Sequence, residues 1–163
     1  MTLRANLLAN LLAPTLLLAV LSLPAQADMA DDALRLINTQ RTGKGCVALS
    51  RDPGLQSAAA AQARDMAQGD FFGHKGKNGS THAQRFRKAG YPGKDTAENI
   101  AAGPATAAAV VGTWLDSREH RANMLNCRFR DTGMAVVYQA DDAPLKGNSY
   151  PFRYYWVQTF GGP

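Results

Sequence analysis

The apolar residues of this chain recur with a helical period in its first two thirds. Leu34 and Ile37 lie one helical turn apart and predict a first helix that ends at Gly43. Asp31 or Asp32 provides a cap at the start of that helix, because a short acidic side chain accepts hydrogen bonds from free backbone N–H groups.

A second helix is predicted after Asp52-Pro53, a pair that favours a helix start with proline at the first helical position. The segment 55–67 is rich in alanine, and its larger residues share one face. They are Leu55, Ala59, Ala63 and Met66. The small residues between them predict close packing of this helix against its neighbours.

The middle of the chain alternates loops with short elements. Residues 75–80 contain two glycines and indicate a surface loop, and 81–89 predict a short helix capped by Ser80 or Thr81. Residues 97–100 form a short extended piece, and 106–115 predict another helix.

Near the end of the chain the period changes from helix to strand. Residues 132–139 and 154–160 are rich in β-branched and aromatic side chains and are joined by a polar loop, which indicates a hairpin. Helices followed by strands predict an α+β domain with helices packed over an antiparallel sheet.

The N-terminal segment 1–27 has the form of a signal peptide. Arg4 precedes an apolar run over residues 7–23, and Ala25-Gln26-Ala27 gives the small-x-small pattern that signal peptidase cleaves. Pro14 in the middle of the run argues against an uncleaved membrane anchor. We therefore expect an exported protein, periplasmic or extracellular, with no transmembrane anchor after cleavage and a single domain over residues 28–163.

The charge balance is basic, with 18 Lys and Arg against 13 Asp and Glu, a formal +5 that cleavage lowers by one. Such a surface favours anionic partners. The basic residues are scattered, and the densest group, Arg85, Arg87 and Lys88, is explained by a solvated helix face. We therefore expect no nucleic-acid partner.

Two cysteines, Cys46 and Cys127, are present in a chain that is predicted to reach an oxidising compartment. A disulfide between them is the leading interpretation. Two free buried thiols or two metal ligands are the alternatives.

Three polar residues, His74, Glu98 and His120, each stand beside apolar residues that could hold them at the rim of a core. Two imidazoles and a carboxylate can bind a divalent cation such as zinc, or form a hydrogen-bonded acid and base pair. Buried, hydrogen-bonded core histidines are the plainer alternative. No local His-Glu-x-x-His or Cys-x-x-Cys motif decides between them.

Several further motifs occur in a fixed order. They are Phe71-Phe72-Gly73-His74, Gly90-Tyr91, Ala97-Glu98-Asn99-Ile100, Trp114-Leu115-Asp116-Ser117, His120-Arg121-Ala122-Asn123, Thr132-Gly133-Met134 and Tyr155-Trp156-Val157-Gln158. From about Ala33 to Gly161 the chain resembles the bacterial branch of the CAP superfamily. That superfamily, also called the SCP domain, takes in cysteine-rich secretory proteins, antigen 5 and pathogenesis-related type one proteins.

The resemblance implies a three-layer α-β-α sandwich in which helices flank a small antiparallel sheet. It also implies that His74 and His120 face each other across a cleft, where some members hold a divalent cation, with Glu98 hydrogen-bonded nearby. Eukaryotic members have a second glutamate three residues after the tryptophan. Here that position is Ser117, and Glu119 is the candidate replacement.

Other residues near the motifs are expected to support the cleft. Asn99 can satisfy backbone groups in a tight connection, and Arg121 and Asn123 can pin their loop to the sheet. His82 matches no motif and is predicted to lie on the surface at a helix start. Ser117 lacks the Gly-x-Ser-x-Gly elbow of a serine nucleophile.

The leading functional hypothesis is a cleft that binds a ligand, with a divalent cation on His74 and His120 and no established turnover. The first alternative is a metal-dependent or acid/base hydrolase, peptidase-like, in which Glu98 moves a proton. The second is a structural or lipid-binding envelope protein. The fold alone does not decide among them.

The ligand classes left open are a small molecule, a lipid, a peptide or an envelope polymer. No organic cofactor is expected, and the protein is expected to be a monomer.

Overall fold

The structure is a computed structural model, and it describes residues 22–163. Residues 1–21, which hold most of the predicted signal peptide, lie outside the described residues. The described elements, in chain order, are α1 (Ser22–Gly43), β1 (Ser50–Arg51), α2 (Pro53–Gln68), α3 (His82–Lys88), β2 (Thr96–Ala102), α4 (Ala107–Asp116), α5 (Arg118–Met124), β3 (Asp131–Tyr138) and β4 (Tyr154–Gly161).

The four strands form one sheet in the order β1-β3-β4-β2. β4 pairs antiparallel with both β3 and β2, so the predicted hairpin and the predicted antiparallel sheet are confirmed for the three long strands. β1 adds a parallel edge that was not predicted. Two residues are too few to produce an alternating pattern in the sequence.

Helices cover both faces of the sheet, as the three-layer sandwich requires. Met134, Val136 and Trp156 pack on the face that holds α1 and α4. Ala135 and Val157 directly follow Met134 and Trp156 in their strands, and they pack on the opposite face against α2. Alternate residues of a strand point to opposite faces, and the two apolar clusters therefore form the two cores of an α-β-α domain.

The second helix starts where the sequence predicted. The Asp52 side chain accepts a hydrogen bond of 2.9 Å from the Leu55 N–H, and Pro53 is the first helical residue. The predicted inner face is confirmed, since Leu55, Ala59, Ala63 and Met66 are all buried. The alanines let this helix lie directly on the sheet.

Two helices differ from the prediction. α1 begins at Ser22, so Asp31 and Asp32 lie inside it and neither caps it. The residues before them are mostly good helix formers, and nothing there stops a helix. The segment 118–124 forms α5, although its polar sequence favoured a loop. Seven residues are too short for a periodic apolar pattern.

The predicted disulfide is present between Cys46 and Cys127. Their Cα atoms are 4.9 Å apart, and the two residues are separated by 81 positions in the sequence. It joins the loop after α1 to the segment after α5. Fully buried Arg41 reinforces the same junction, because its guanidinium donates to the carbonyl oxygens of Met124 at 2.6 Å and Phe129 at 2.9 Å. The segment that carries His120 is therefore held at its C-terminal end.

Among residues 22–163, no helix combines the length and apolar character needed to cross a membrane.

Candidate functional site

Glu98 is the centre of the polar cluster. It lies on β2, and its side chain is fully withdrawn from solvent. One carboxylate oxygen, Oε1, lies 3.0 Å from Nδ1 of His74, and the other, Oε2, accepts a bond of 2.7 Å from Nη2 of Arg85. A buried carboxylate is tolerated when it is paired in this way. Both of its oxygens are therefore occupied by protein groups.

Arg85 also fixes the loop that carries His74. Its Nη1 donates to the carbonyl oxygen of His74 at 3.0 Å and to that of Ser80 at 2.9 Å. The side chain is only 11% exposed, so the interpretation of this residue as part of a solvated helix face is corrected. No feature of the sequence separates Arg85 from its basic neighbours Arg87 and Lys88, both of which are exposed.

The hydrogen bond to Glu98 determines the tautomer of His74. An ionised carboxylate only accepts hydrogen bonds, so Nδ1 of His74 carries the proton and donates it. The ring is 52% exposed, and in its neutral form Nε2 is the acceptor nitrogen. The contact with Glu98 therefore fixes the orientation of the His74 ring.

His120 lies on α5 and is half-buried. Burial, and next the nearby charge of His74, lower the pKa of His120, while Glu119 acts in the opposite direction. Its Nδ1 is buried and has no hydrogen-bond partner among the described residues. The lowered pKa favours the neutral imidazole of His120 near neutral pH.

Two amides hold the backbone of His120 against the sheet. Asn99, fully buried on β2, donates from Nδ2 to the carbonyl oxygen of His120 at 3.0 Å. Asn123 donates to Oδ1 of Asn99 at 2.9 Å. Asn99 and Asn123 thus link α5 to β2.

The remaining predicted residues lie around α5. Ser117 is its N-cap, and its hydroxyl accepts from the His120 N–H at 3.5 Å. Glu119 is exposed in the first turn, and its charge acts on His120. Arg121 is exposed and donates to the carbonyl oxygen of Leu115, at the end of α4. Arg121 therefore ties α5 to the preceding helix.

His82 belongs to this region, contrary to the prediction of a surface residue. It does begin a helix, but its ring is half-buried and lies 5.5 Å from the Phe86 ring between centroids. Burial is the main cause that lowers its pKa; the Glu98 carboxylate opposes the shift, and Arg85 and His74 add to it. The start of α3 packs against β2, which no local sequence signal could reveal.

The His, Cys, Asp and Glu side chains near one another limit the kind of metal site that this domain could form. Within residues 22–163 no three His, Cys, Asp or Glu side chains gather into a group that could hold a metal ion. The Glu98 side chain is fully buried, and each of its oxygens already contacts a protein group, so it is poorly placed to serve as a third ligand. A closed structural zinc site with four protein ligands therefore does not fit the described residues.

The chain matches a known protein family over most of its length. The family model described as "CAP: Cysteine-rich secretory protein family" matches residues 34–160. This chain belongs to the CAP family. The match includes His74, Glu98 and His120, together with all four strands except the last residue of β4.

Solved structures of bacterial proteins share this fold. An extracellular protein containing a SCP domain from Bacillus anthracis str. Ames superposes with a TM-score of 0.70 at 22% identity, covering 85% of this chain and 41% of that one. An outer surface protein from Borrelia burgdorferi superposes with a TM-score of 0.71 at 22% identity, covering 84% of this chain and 96% of that one. At such identities the likeness concerns the fold.

A sequence relative is the uncharacterized protein YkwD of Bacillus subtilis (strain 168), which is 32% identical over 104 residues. That match covers 64% of this CAP domain protein and 40% of YkwD. The uncharacterized membrane protein YlbC of the same organism is 28% identical over 103 residues, 30% of its length. The chain thus spans well under half of these two relatives.

Proposed function

We propose that this protein is an exported CAP-domain protein whose cleft, between His74 and His120, binds a ligand with the help of a divalent cation such as zinc. Export is supported by the signal-peptide pattern of residues 1–27 and by the disulfide. Two structural neighbours are described as extracellular and as an outer surface protein. The compartment on this proposal is the periplasm or the cell exterior.

The observation that carries the proposal is the 3.0 Å contact between Nδ1 of His74 and Oε1 of Glu98. Metal-binding histidines commonly donate one ring N–H to a carboxylate, which orients the ring and makes the other nitrogen a better ligand. His120 contributes a second imidazole whose pKa is lowered, so it stays neutral and able to bind a cation at lower pH than an ordinary histidine.

In this arrangement the residues have separate roles. His74 and His120 would hold the cation, and Glu98 and Arg85 would orient His74 without touching the ligand. A bound cation would supply a positive centre for an oxygen of the ligand. Because the Glu98 side chain is fully buried behind His74 and Arg85, we do not favour the hydrolase alternative, in which this carboxylate moves a proton.

Calorimetry with zinc on chelator-treated protein tests the proposal. We expect His74→Ala and His120→Ala each to weaken zinc binding by at least about ten-fold, since a two-imidazole site loses half of its protein ligands. His82→Ala is the matched control, because this third imidazole lies beside the cluster but outside the proposed pair, and it should leave the affinity unchanged. Equal zinc binding by all four proteins would refute the cation site.

A further inference from the structure

β2 is an edge strand of the sheet, since β4 is its only neighbouring strand. Residues of an antiparallel strand alternate between those whose main chain bonds to the neighbour and those whose main chain points away from it. Gly103, just after β2, donates its N–H to the carbonyl oxygen of Tyr154 at 2.9 Å. Asp95, just before β2, accepts a bond of 2.9 Å from the N–H of Gly162. Both pairs continue the register of the two strands, so the odd-numbered residues of β2 bond to β4.

The main chain of the even-numbered residues therefore points to the open side of β2. At Ile100 this is directly visible, because its carbonyl oxygen accepts a bond of 3.2 Å from Nε1 of Trp114. No described residue bonds to the N–H or the carbonyl oxygen of Glu98, or to the N–H of Ile100. Main-chain groups of a folded domain are nearly always paired with protein, water or a ligand. Two donors and one acceptor on this edge thus await a partner from outside the described residues.

The main chain of Glu98 is open to solvent, although its side chain is not. The whole residue is 4% exposed, whereas its side chain is 0% exposed. The part of Glu98 that remains exposed is therefore main chain. A ligand can reach the strand here without displacing the bonds that the carboxylate makes to His74 and Arg85.

His74 and His120 flank this edge from opposite faces of the sheet. Consecutive side chains of a strand point to opposite faces. Glu98 shares the α2 face with Ile100 and contacts His74 there, while Asn99, on the other face, holds the carbonyl oxygen of His120. The charge of His74 acts on the pKa of His120, so the two rings are near each other. Because the sheet separates the two faces, the rings approach each other past the edge of β2.

We propose that a short peptide in an extended conformation binds this cleft by pairing its main chain with Glu98 on the open edge of β2. Addition of a strand to an exposed sheet edge is a recurring mode of peptide recognition, in which main-chain hydrogen bonds supply the affinity. Glu98 offers one donor and one acceptor, which one extended peptide residue matches. The proposal rests on the proposed function, because it names the ligand class of the same cleft, but the main-chain bonds do not require the cation.

The open edge suits a short peptide better than a strand from a second copy of this chain. Trp114 already occupies the carbonyl oxygen of Ile100, so strand pairing stops there. In the other direction β2 begins at Thr96, so the open edge is only a few residues long. A stable interface between two copies needs about 800 Å² on each partner. An edge of this length does not supply that area.

Titration of ¹⁵N-labelled, chelator-treated protein with N-acetyl-Ala-Val-Ala amide tests the proposal. The amide proton resonance of Glu98 should move to lower field in a saturable manner, because its N–H gains a hydrogen-bond acceptor. The amide of Asn99 already bonds to β4, so it is the internal control and should move less. The absence of a saturable shift at Glu98, or a larger shift at Asn99 than at Glu98, would overturn the proposal.

Three further peptides, each with a different one of its three residues N-methylated, show whether the peptide main chain is what binds. Alternate N–H groups of an extended peptide point to the same side. Methylation should therefore weaken binding at least about ten-fold at every second position, where it removes the donor for the Glu98 carbonyl oxygen, and far less in between. A loss that is equal at all three positions, or absent from all three, would contradict main-chain pairing.

The double variant His74→Ala with His120→Ala separates this proposal from the cation site. It lacks both imidazoles but keeps the main chain of β2, so after chelator treatment it should bind the peptide about as tightly as the wild type does. Loss of peptide binding in the folded double variant would assign the binding to the imidazoles and sink the proposal.

Zinc calorimetry and the peptide titration can fail independently. If zinc binding depends on the two histidines but the peptide leaves Glu98 unshifted, this proposal fails and the cation site stands. If the peptide binds as described and zinc binds every variant equally, the cation site fails and this proposal stands. If the Glu98 resonance moves with protein concentration in the absence of peptide, a second copy occupies the edge and the proposal is wrong.

Discussion

Nη2 of Arg85 lies 2.7 Å from Oε2 of Glu98, and the two side chains are 11% and 0% exposed. This ion pair links α3 to Glu98 on β2, the carboxylate that also contacts His74. Removing one partner of a buried ion pair leaves the other charge without compensation, which is far more costly than losing an exposed pair. The position of Glu98 beside His74 and the stability of the domain therefore depend on the same contact.

Glu98→Gln should lower the free energy of unfolding by about 3 kcal/mol, because the neutral amide leaves the Arg85 charge buried and unpaired. Urea unfolding followed by circular dichroism measures this change. Glu119→Gln removes a carboxylate that is exposed, and it should change stability by less than about 0.5 kcal/mol. Similar losses in the two variants would show that the Arg85 contact contributes little.

His120 should titrate below the ordinary histidine pKa of about 6.5. Burial is the larger cause and the charge of His74 the smaller one, with Glu119 opposing both. Proton resonances of the ring, followed against pH in chelator-treated protein, give the midpoint. In His74→Ala the midpoint should rise while staying depressed, because burial persists. A midpoint above about 6.5 in the wild type would contradict the buried, neutral imidazole.

The same shift sets the direction of a pH effect on stability. Where the pKa is lower in the folded state, the unfolded chain binds more protons, so stability rises with pH. The contribution of His120 should be fully present above the unfolded pKa, about 6.5, and be lost as the pH falls toward the folded pKa. The His120→Gln variant should therefore lose less stability between about pH 7 and about pH 5 than the wild type does, as measured by urea unfolding at each pH.

The disulfide should contribute about 4 kcal/mol to stability in the chain-entropy model, since it closes a loop across 81 residues of separation. The double variant Cys46→Ala with Cys127→Ala tests this by urea unfolding. Adding a reductant should lower the stability of the wild type and leave that of the double variant unchanged. An unchanged unfolding midpoint in the double variant would mean that Arg41 holds the junction without the covalent bond.

The sequence was sufficient to predict the helices and strands in which residues of one type recur at a regular spacing. Asp52-Pro53 and the alanine face indicated the second helix, and β-branched and aromatic residues indicated β3 and β4. The cysteine pair followed from composition and compartment. In each case a local rule, or the count of one residue type, carried the information.

The site was harder to predict because its contacts join distant parts of the chain. The ordered motifs pointed to His74, Glu98 and His120, but nothing local distinguishes Arg85 from Arg87, or shows that His82 packs toward β2. Those placements depend on how α3 docks on the sheet, which is a tertiary property. α5 did have a signal, Ser117 as an N-cap with Glu119 in the first turn, but its seven residues carry no apolar period.

Asn99→Asp should displace α5 more than its similar size suggests. The carboxylate can still accept from Asn123, but it cannot donate to the carbonyl oxygen of His120, which Asn99 does at 3.0 Å. We expect a loss of about 2 kcal/mol in the free energy of unfolding, from a buried charge and an unpaired carbonyl oxygen. The ring resonances of His120 should shift as well. Asn123→Ala, which leaves the bond to His120 in place, should shift them less.

Gly133→Ala should be among the more damaging single methyl additions in this domain. A Cβ atom at that position would lie 2.3 Å from the carbonyl oxygen of Leu55, so α2 would have to move away from β3. The methyl cannot be absorbed by a side-chain rotation, because the atom that it meets belongs to the helix backbone. We expect a loss of at least about 2 kcal/mol in the free energy of unfolding.

Gly112→Ala on α4 is the matched control, since a Cβ atom there meets nothing within 4 Å. Alanine inside a helix is favoured over glycine by about 0.5 to 1 kcal/mol, so this variant should be more stable than the wild type. The opposite signs of the two changes, measured by the same urea unfolding, would separate close backbone packing from the general effect of adding a methyl group. If Gly133→Ala is tolerated as well as Gly112→Ala, then α2 does not lie as tightly on the sheet as its alanine face implies.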